Sequence, residues 1–117
     1  MKELAKKVGT MEYDNLISSP KPFVYVDGGV LIADANATVK RGTLLSKNAD
    51  GKLVVYNGSA APDCILCDDV DATPEGVAVT VYKRGCFNSG KVIGFDKLTD
   101  AHKNVLRTYD IVFKAMA

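Results

Sequence analysis

Val77-Ala78-Val79-Thr80-Val81-Tyr82 is the segment that decides the fold class. Its three valines alternate with Ala78, Thr80 and Tyr82, the period of two that marks a strand with distinct faces. Thr73-Pro74-Glu75-Gly76 comes just before it and fits a type I turn, with Pro at the second position and Gly at the fourth. On the far side, Lys83-Arg84-Gly85 is expected to close the strand and Cys86-Phe87 to open another. Toward the N-terminus, Cys64-Ile65-Leu66-Cys67 reads as a buried strand ended by Asp68, Asp69 and Asp71. Thr43-Leu44-Leu45 and Leu53-Val54-Val55-Tyr56 flank Asn48-Ala49-Asp50-Gly51, a turn in which Gly offers φ > 0. Asn57-Gly58 supplies a second turn.

One helix is expected near the C-terminus. Thr99 can cap it, Asp100 suits the positive end of its dipole, and Val105, Leu106 and Tyr109 share a face. Ile111-Val112-Phe113 then reads as a terminal strand. The fold class is therefore α+β and mostly β, with one short helix.

Before about residue 40 the character changes. Ser18-Ser19-Pro20-Lys21-Pro22 holds two prolines within three residues, which fixes φ and pushes each preceding residue out of the α region. Such a stretch suits an extended arm. Phe23-Val24-Tyr25-Val26, Asp27-Gly28-Gly29 and Val30-Leu31-Ile32 follow and read as strand, turn, strand. The predicted organisation is an extended N-terminal arm over residues 1–34 and a single β-rich domain over residues 35–117.

Composition bounds what such a chain does. Its 117 residues fit one domain of about 100–150 residues. Apolar residues make up 47% and charged residues 25%, ordinary globular usage. Fifteen Lys and Arg face fourteen Asp and Glu, so no basic face for nucleic acid is expected. No run approaches the ~20 apolar residues of a membrane helix. Met1 to Thr10 is charged with no apolar run behind it, which gives no reason to expect a secretory signal. Three cysteines in such a chain read as reduced thiols.

The residues that could carry chemistry each have a plainer reading. Cys64 and Cys67 are spaced like a redox or metal pair, but on a strand positions three apart face opposite ways. No second cysteine pair or His pair completes a zinc site. Asp68, Asp69 and Asp71 lack the spacing and distal Glu of a calcium loop and read as a solvated strand end. Gly28-Gly29 has no phosphate-loop context. His102, the single histidine, reads as an ordinary surface residue. No cofactor, no metal and no catalytic residue is expected.

From Gly42 to Lys114 the ordered features resemble the head decoration protein D family of lambda-like phages. The carriers are Leu53-Val54-Val55-Tyr56-Asn57-Gly58, the Ile65-Leu66 strand with Cys64 where the family has Gly, and Val81-Tyr82-Lys83-Arg84-Gly85-Cys86-Phe87. A Thr/Asp-led helix and a terminal β segment follow at similar spacing. The resemblance implies a β-tulip-like domain that sits as a homotrimer at threefold and quasi-threefold positions on an expanded phage head. It also implies that the N-terminal arm adds a strand to the major capsid protein. The expected locations are then the outer capsid surface of the virion and, during assembly, the host cytoplasm.

The residues themselves fit that picture. A regular region of about 75 residues is marginal alone and gains from oligomerisation. An extended apolar segment suits β-augmentation. Phe23, Val24, Tyr25, Val26, Val30, Leu31 and Ile32 are the expected capsid-binding residues, each worth about 1.5–3 kcal/mol if buried before ordering costs. Residues 23–32 have three open partners: the shell, a neighbouring subunit or their own domain. The alternative function is a phage fibre subunit or a carbohydrate-binding module, which the absence of Trp and the presence of only five Tyr make less apt.

Overall fold

The computed structural model describes residues 16–19 and 24–114. Phe23, Pro20 and Pro22 lie outside the described residues, as does the stretch 1–15. The strands in chain order are β1 (Ile17–Ser19), β2 (Tyr25–Leu31), β3 (Ala37–Val39), β4 (Leu44–Lys47), β5 (Leu53–Val55) and β6 (Pro62–Leu66). They continue with β7 (Val70–Ala72), β8 (Val77–Asn88) and, after a 3₁₀ turn at Phe95–Lys97 and helix α1 (Asp100–Thr108), β9 (Ile111–Lys114). The protein is α+β and mostly β, as its sequence pattern predicts.

Strand β8 organises the domain. Its first half pairs antiparallel with β2 on one edge and with β6 on the other. Since β6 pairs with β4, β4 with β5, and β5 meets β2 at Leu31 and Leu53, the ladder closes into a small barrel. The second half of β8 leaves that barrel and takes β1 and β9 as neighbours. Strands β3 and β7 form a separate two-stranded ribbon.

The sequence places a break at Lys83-Arg84-Gly85, but β8 runs unbroken through it. Gly85 has φ of 150°, and a Cβ there would lie 2.9 Å from the Phe87 ring, so glycine lets the strand bend without stopping. Residues 24–32 also depart from the expected strand, turn, strand. Tyr25–Leu31 is one strand, in uninterrupted register with β8 from Val26 opposite Tyr82 to Leu31 opposite Val77. Gly29 serves close approach rather than a turn, since a Cβ there would come within 2.7 Å of the Leu53 side chain, whereas Gly28 has room for one. Of the three partners open to this segment in the sequence, its own domain takes one edge.

Two hydrophobic cores lie on opposite faces of the same strands. Leu45, Cys64, Leu66, Val79 and Val81 point into the barrel with Leu31 and Leu53. Leu44, Ile65, Cys67, Tyr82 and Phe87 point outward, where Leu16, Val92, Leu106 and Ile111 cover them. Burial on both faces explains why Cys64-Ile65-Leu66-Cys67 shows no polar alternation. The one buried residue of α1, Leu106, closes this outer core. Thr99 caps the helix by accepting from the His102 amide at 3.2 Å. Tyr109, expected on the buried face, sits instead at the C-cap and is half exposed.

The hairpin between β4 and β5 turns as its sequence implies. The Asn48 side-chain oxygen accepts from the amides of Asp50 and Lys52, and Gly51 takes φ of 80°. Gly42 is the more demanding position. Its φ is 92°, its amide bonds the Leu66 carbonyl, and an added Cβ would lie 2.9 Å from the Lys91 carbonyl oxygen. Gly42→Ala is therefore expected to cost about 1–3 kcal/mol from a strained backbone and a clash with main chain that has little room to yield. A thermal melt unchanged by that substitution would contradict the packing described.

Candidate docking surface

Strand β2 is where the fold leaves backbone unspent. One edge is laid on β8, and β5 touches the other only at Leu31. The direction of each amide follows from two hydrogen bonds. The Ile32 amide donates to the Leu53 carbonyl at 2.9 Å, on the β5 side. The Gly28 amide donates to the Asp27 carboxylate at 2.8 Å instead of to β8. Alternation along the strand then sends the amides of Val26 and Val30 the same way, to the β5 side, where the described pairing reaches only Leu31 and Ile32.

Of the expected contact residues, Val24, Tyr25, Val26 and Val30 are exposed, at 37, 55, 49 and 40%. Leu31 is fully buried in the barrel, and Ile32 is half-buried beside Thr73. Among the described residues the structure thus brings an apolar surface strip and an open strand edge together on one element. Sequence pattern cannot show the open edge, because it depends on β5 starting, in parallel register, only at Leu53 opposite the last residue of β2.

At the Tyr25 end lies a groove lined by Tyr25, Asp27, Asp63, Lys83, Arg84 and Tyr109. Lys83 donates to Asp63 at 2.6 Å, and both side chains are largely buried. Burial alone would lower the Lys83 pKa, but the bond to Asp63 and the nearby carboxylate charges outweigh it, so the ammonium is held above its usual range. Arg84 faces Asp110 at 3.7 Å, an exposed pair of little energetic weight.

The other chemistry-bearing residues are engaged elsewhere. Cys64 and Cys67 point into different cores, so they do not face each other. Burial, then the neighbouring carboxylates Asp63 and Asp68, push both thiols up to about 12, so they stay protonated at neutral pH. Cys86 is buried with its sulfur 3.1 Å from the Ser18 hydroxyl. His102 is not a free surface side chain: its Nδ1 lies 2.7 Å from the Tyr56 hydroxyl, which also reaches the Lys97 carbonyl. This link ties α1 to β5 across 46 residues of chain, a separation that gives no local signal.

Arg41 bonds the Cys67 carbonyl and the Tyr82 hydroxyl, covering the outer core. Asp69 accepts from the Arg41 amide and Asp71 from the Thr38 hydroxyl, so these acids fasten the β3–β7 ribbon and its approach. Among the described residues no cluster of His, Cys, Asp and Glu is placed to hold a metal ion, and no helix is long and apolar enough to cross a membrane.

The described residues thus form a small β barrel with one short helix, a polar set engaged in packing and an apolar strip on β2. The family model for bacteriophage lambda head decoration protein D matches residues 5–107, and the chain belongs to that family. It is a phage capsid decoration protein, associated with the capsid of the virion. The match extends the likeness, which the quoted motifs carry only from Gly42, back through β2 and into the segment before it. Among curated proteins no match was found.

Proposed function

We propose that the protein binds as a homotrimer to the outer surface of the expanded head, at threefold and quasi-threefold positions, and stabilises the shell. Its N-terminal segment adds a strand to the major capsid protein, and three such segments act together. The observation that supports this reading is the exposed apolar strip of β2, within the segment 1–34. Family membership favours decoration over the fibre or glycan-binding alternative. The chain would meet its shell in the host cytoplasm during assembly.

The proposed arm, residues 1–34, contains groups the barrel needs. Leu16 and Leu31 are core residues, and β2 pairs along seven positions with β8. The informative truncation is therefore deletion of residues 1–15, which spares them. The truncated protein is expected to keep its solution mass and melting temperature. Its binding to undecorated, expanded shells should fall by about 10²-fold or more, since avidity over three arms multiplies each lost contact. Full-strength binding in a co-sedimentation assay would remove the arm from the mechanism.

A further inference from the structure

We infer that Asn57-Gly58-Ser59 is a self-modifying turn, at which Asn57 loses its side-chain amide to water and becomes aspartate or isoaspartate. The turn follows β5 and holds the one Asn-Gly step in the chain. Asn57 and Ser59 are exposed, and they belong to neither core.

Three features bring the reacting groups together. Asn57 Oδ1 accepts from the Ser59 amide at 3.0 Å and from the Ser59 hydroxyl at 2.8 Å, which closes a ring across the Gly58 peptide. Both donors sit on the oxygen that gains negative charge when a nucleophile adds to Asn57 Cγ. Gly58, with φ of 96°, has no side chain to hinder its own nitrogen, and among the described residues its amide donates to no acceptor. Attack within one turn needs no encounter, so its rate is set by how closely the two atoms are held.

The step balances with water as the only added reagent. The Gly58 nitrogen bonds to Asn57 Cγ and gives up its proton, the Cγ–Nδ2 bond breaks, and Nδ2 leaves as ammonia. Water then opens the cyclic imide on one side or the other. Opening at Cγ leaves an ordinary backbone with aspartate at 57. Opening at the main-chain carbonyl routes the chain through Cγ as isoaspartate. Either product adds one negative charge and takes the formal charge from +1 to zero. The isoaspartate also lengthens the main chain beside Tyr56, whose hydroxyl joins this turn to Lys97 and His102.

The other described asparagines lack this combination. Asn48 has a similarly bonded oxygen, from the Asp50 and Lys52 amides, but Ala49 follows it. Asn88 is buried and precedes Ser89, Asn104 precedes the branched Val105 within α1, and Asn36 precedes Ala37. Asn48 is therefore the internal reference.

The test is to age the purified full chain at neutral pH and follow each asparagine by peptide-resolved mass spectrometry and isoaspartyl methyltransferase labelling. Resolution by peptide matters because Asp-Gly steps, here Asp27-Gly28 and Asp50-Gly51, isomerise by the same route without releasing ammonia. Asn57 should convert at least about tenfold faster than Asn48. Ser59→Ala, an exposed change, should slow Asn57 by about two- to tenfold, the worth of one hydrogen bond. In denaturant, wild type and Ser59→Ala should convert alike.

Conversion of Asn57 no faster than that of Asn48 overturns the site. An unchanged or faster rate in folded Ser59→Ala overturns the assisted turn, as does a difference between the two proteins that persists in denaturant. Shell binding is a separate readout, so failure here leaves decoration standing.

Discussion

Phe87→Ala should destabilise the domain by about 3–5 kcal/mol, the range for removing a buried aromatic ring. Phe87 is fully buried in the outer core, with its ring 5.3 Å from that of Tyr82. It also stands opposite Ile17 of β1 and Phe113 of β9, so its loss loosens both strands that flank the distal half of β8. For a domain whose whole stability is about 5–15 kcal/mol, this is a large fraction. The melting temperature should fall by roughly 12–20 °C. A fall of only a few degrees would mean that β1 and β9 do not depend on this ring. Phe87→Leu, which keeps most of the volume, should recover the greater part of the loss.

The second large effect is alkaline. Cys64 and Cys67 have thiols raised from 9.0 to about 12, chiefly by burial. A raised pKa means that the fold favours the protonated form. The associated stability is complete below pH 9 and is lost as pH climbs from there toward 12, where the unfolded chain releases protons that the folded one retains. Each thiol contributes a slope of at most about 1.4 kcal/mol per pH unit, less for Cys67 than for the more enclosed Cys64, so the pair removes about 2–5 kcal/mol by pH 11. Lys83 acts in the same direction: its raised pKa stabilises fully below 10.5, and that contribution fades above it. Denaturant midpoints measured from pH 7 to 11 should fall steeply above 9. The Cys64→Ala, Cys67→Ala double variant should start lower but decline far less. Parallel profiles would show that the thiols ionise freely in the fold.

Local chemistry wrote much of this architecture into the sequence. The valine alternation of β8, the Asn48 turn, the Thr73–Gly76 turn and the Thr99 cap each depend on residues within a few positions of one another, and each is found in the structure. The opposed facing of Cys64 and Cys67 follows from strand geometry alone. What misleads is glycine. Gly28, Gly29 and Gly85 carry the chemistry of turns, yet they sit inside strands, where Leu53 or Phe87 approaches too closely for a side chain at two of them. Such approaches belong to tertiary structure and leave no periodic trace.

The docking surface was half legible for the same reason. The apolar residues of 24–30 are plain in the sequence, but which of them lie outside is decided by β8. Among the described residues the edge is open because β5 begins at Leu53, opposite the last residue of β2, and the Asp27 carboxylate there bonds the amide of its own neighbour. Arg41 over Tyr82 and His102 against Tyr56 are likewise contacts between distant segments, visible only once the barrel is closed.

The pairing of β2 with β8 also decides how the domain meets force. The two strands run antiparallel through seven positions, and β8 is gripped in turn by β1, β6 and β9. Tension drawn along β2 from its N-terminal end loads those positions together in shear. A pull across the strand would instead open them one after another, like a zip. Because forced unfolding is governed by the rate of crossing the barrier, resistance depends on how many bonds must fail at once. Load applied along the axis of β2 is therefore met in the stiff direction of the β2–β8 ladder.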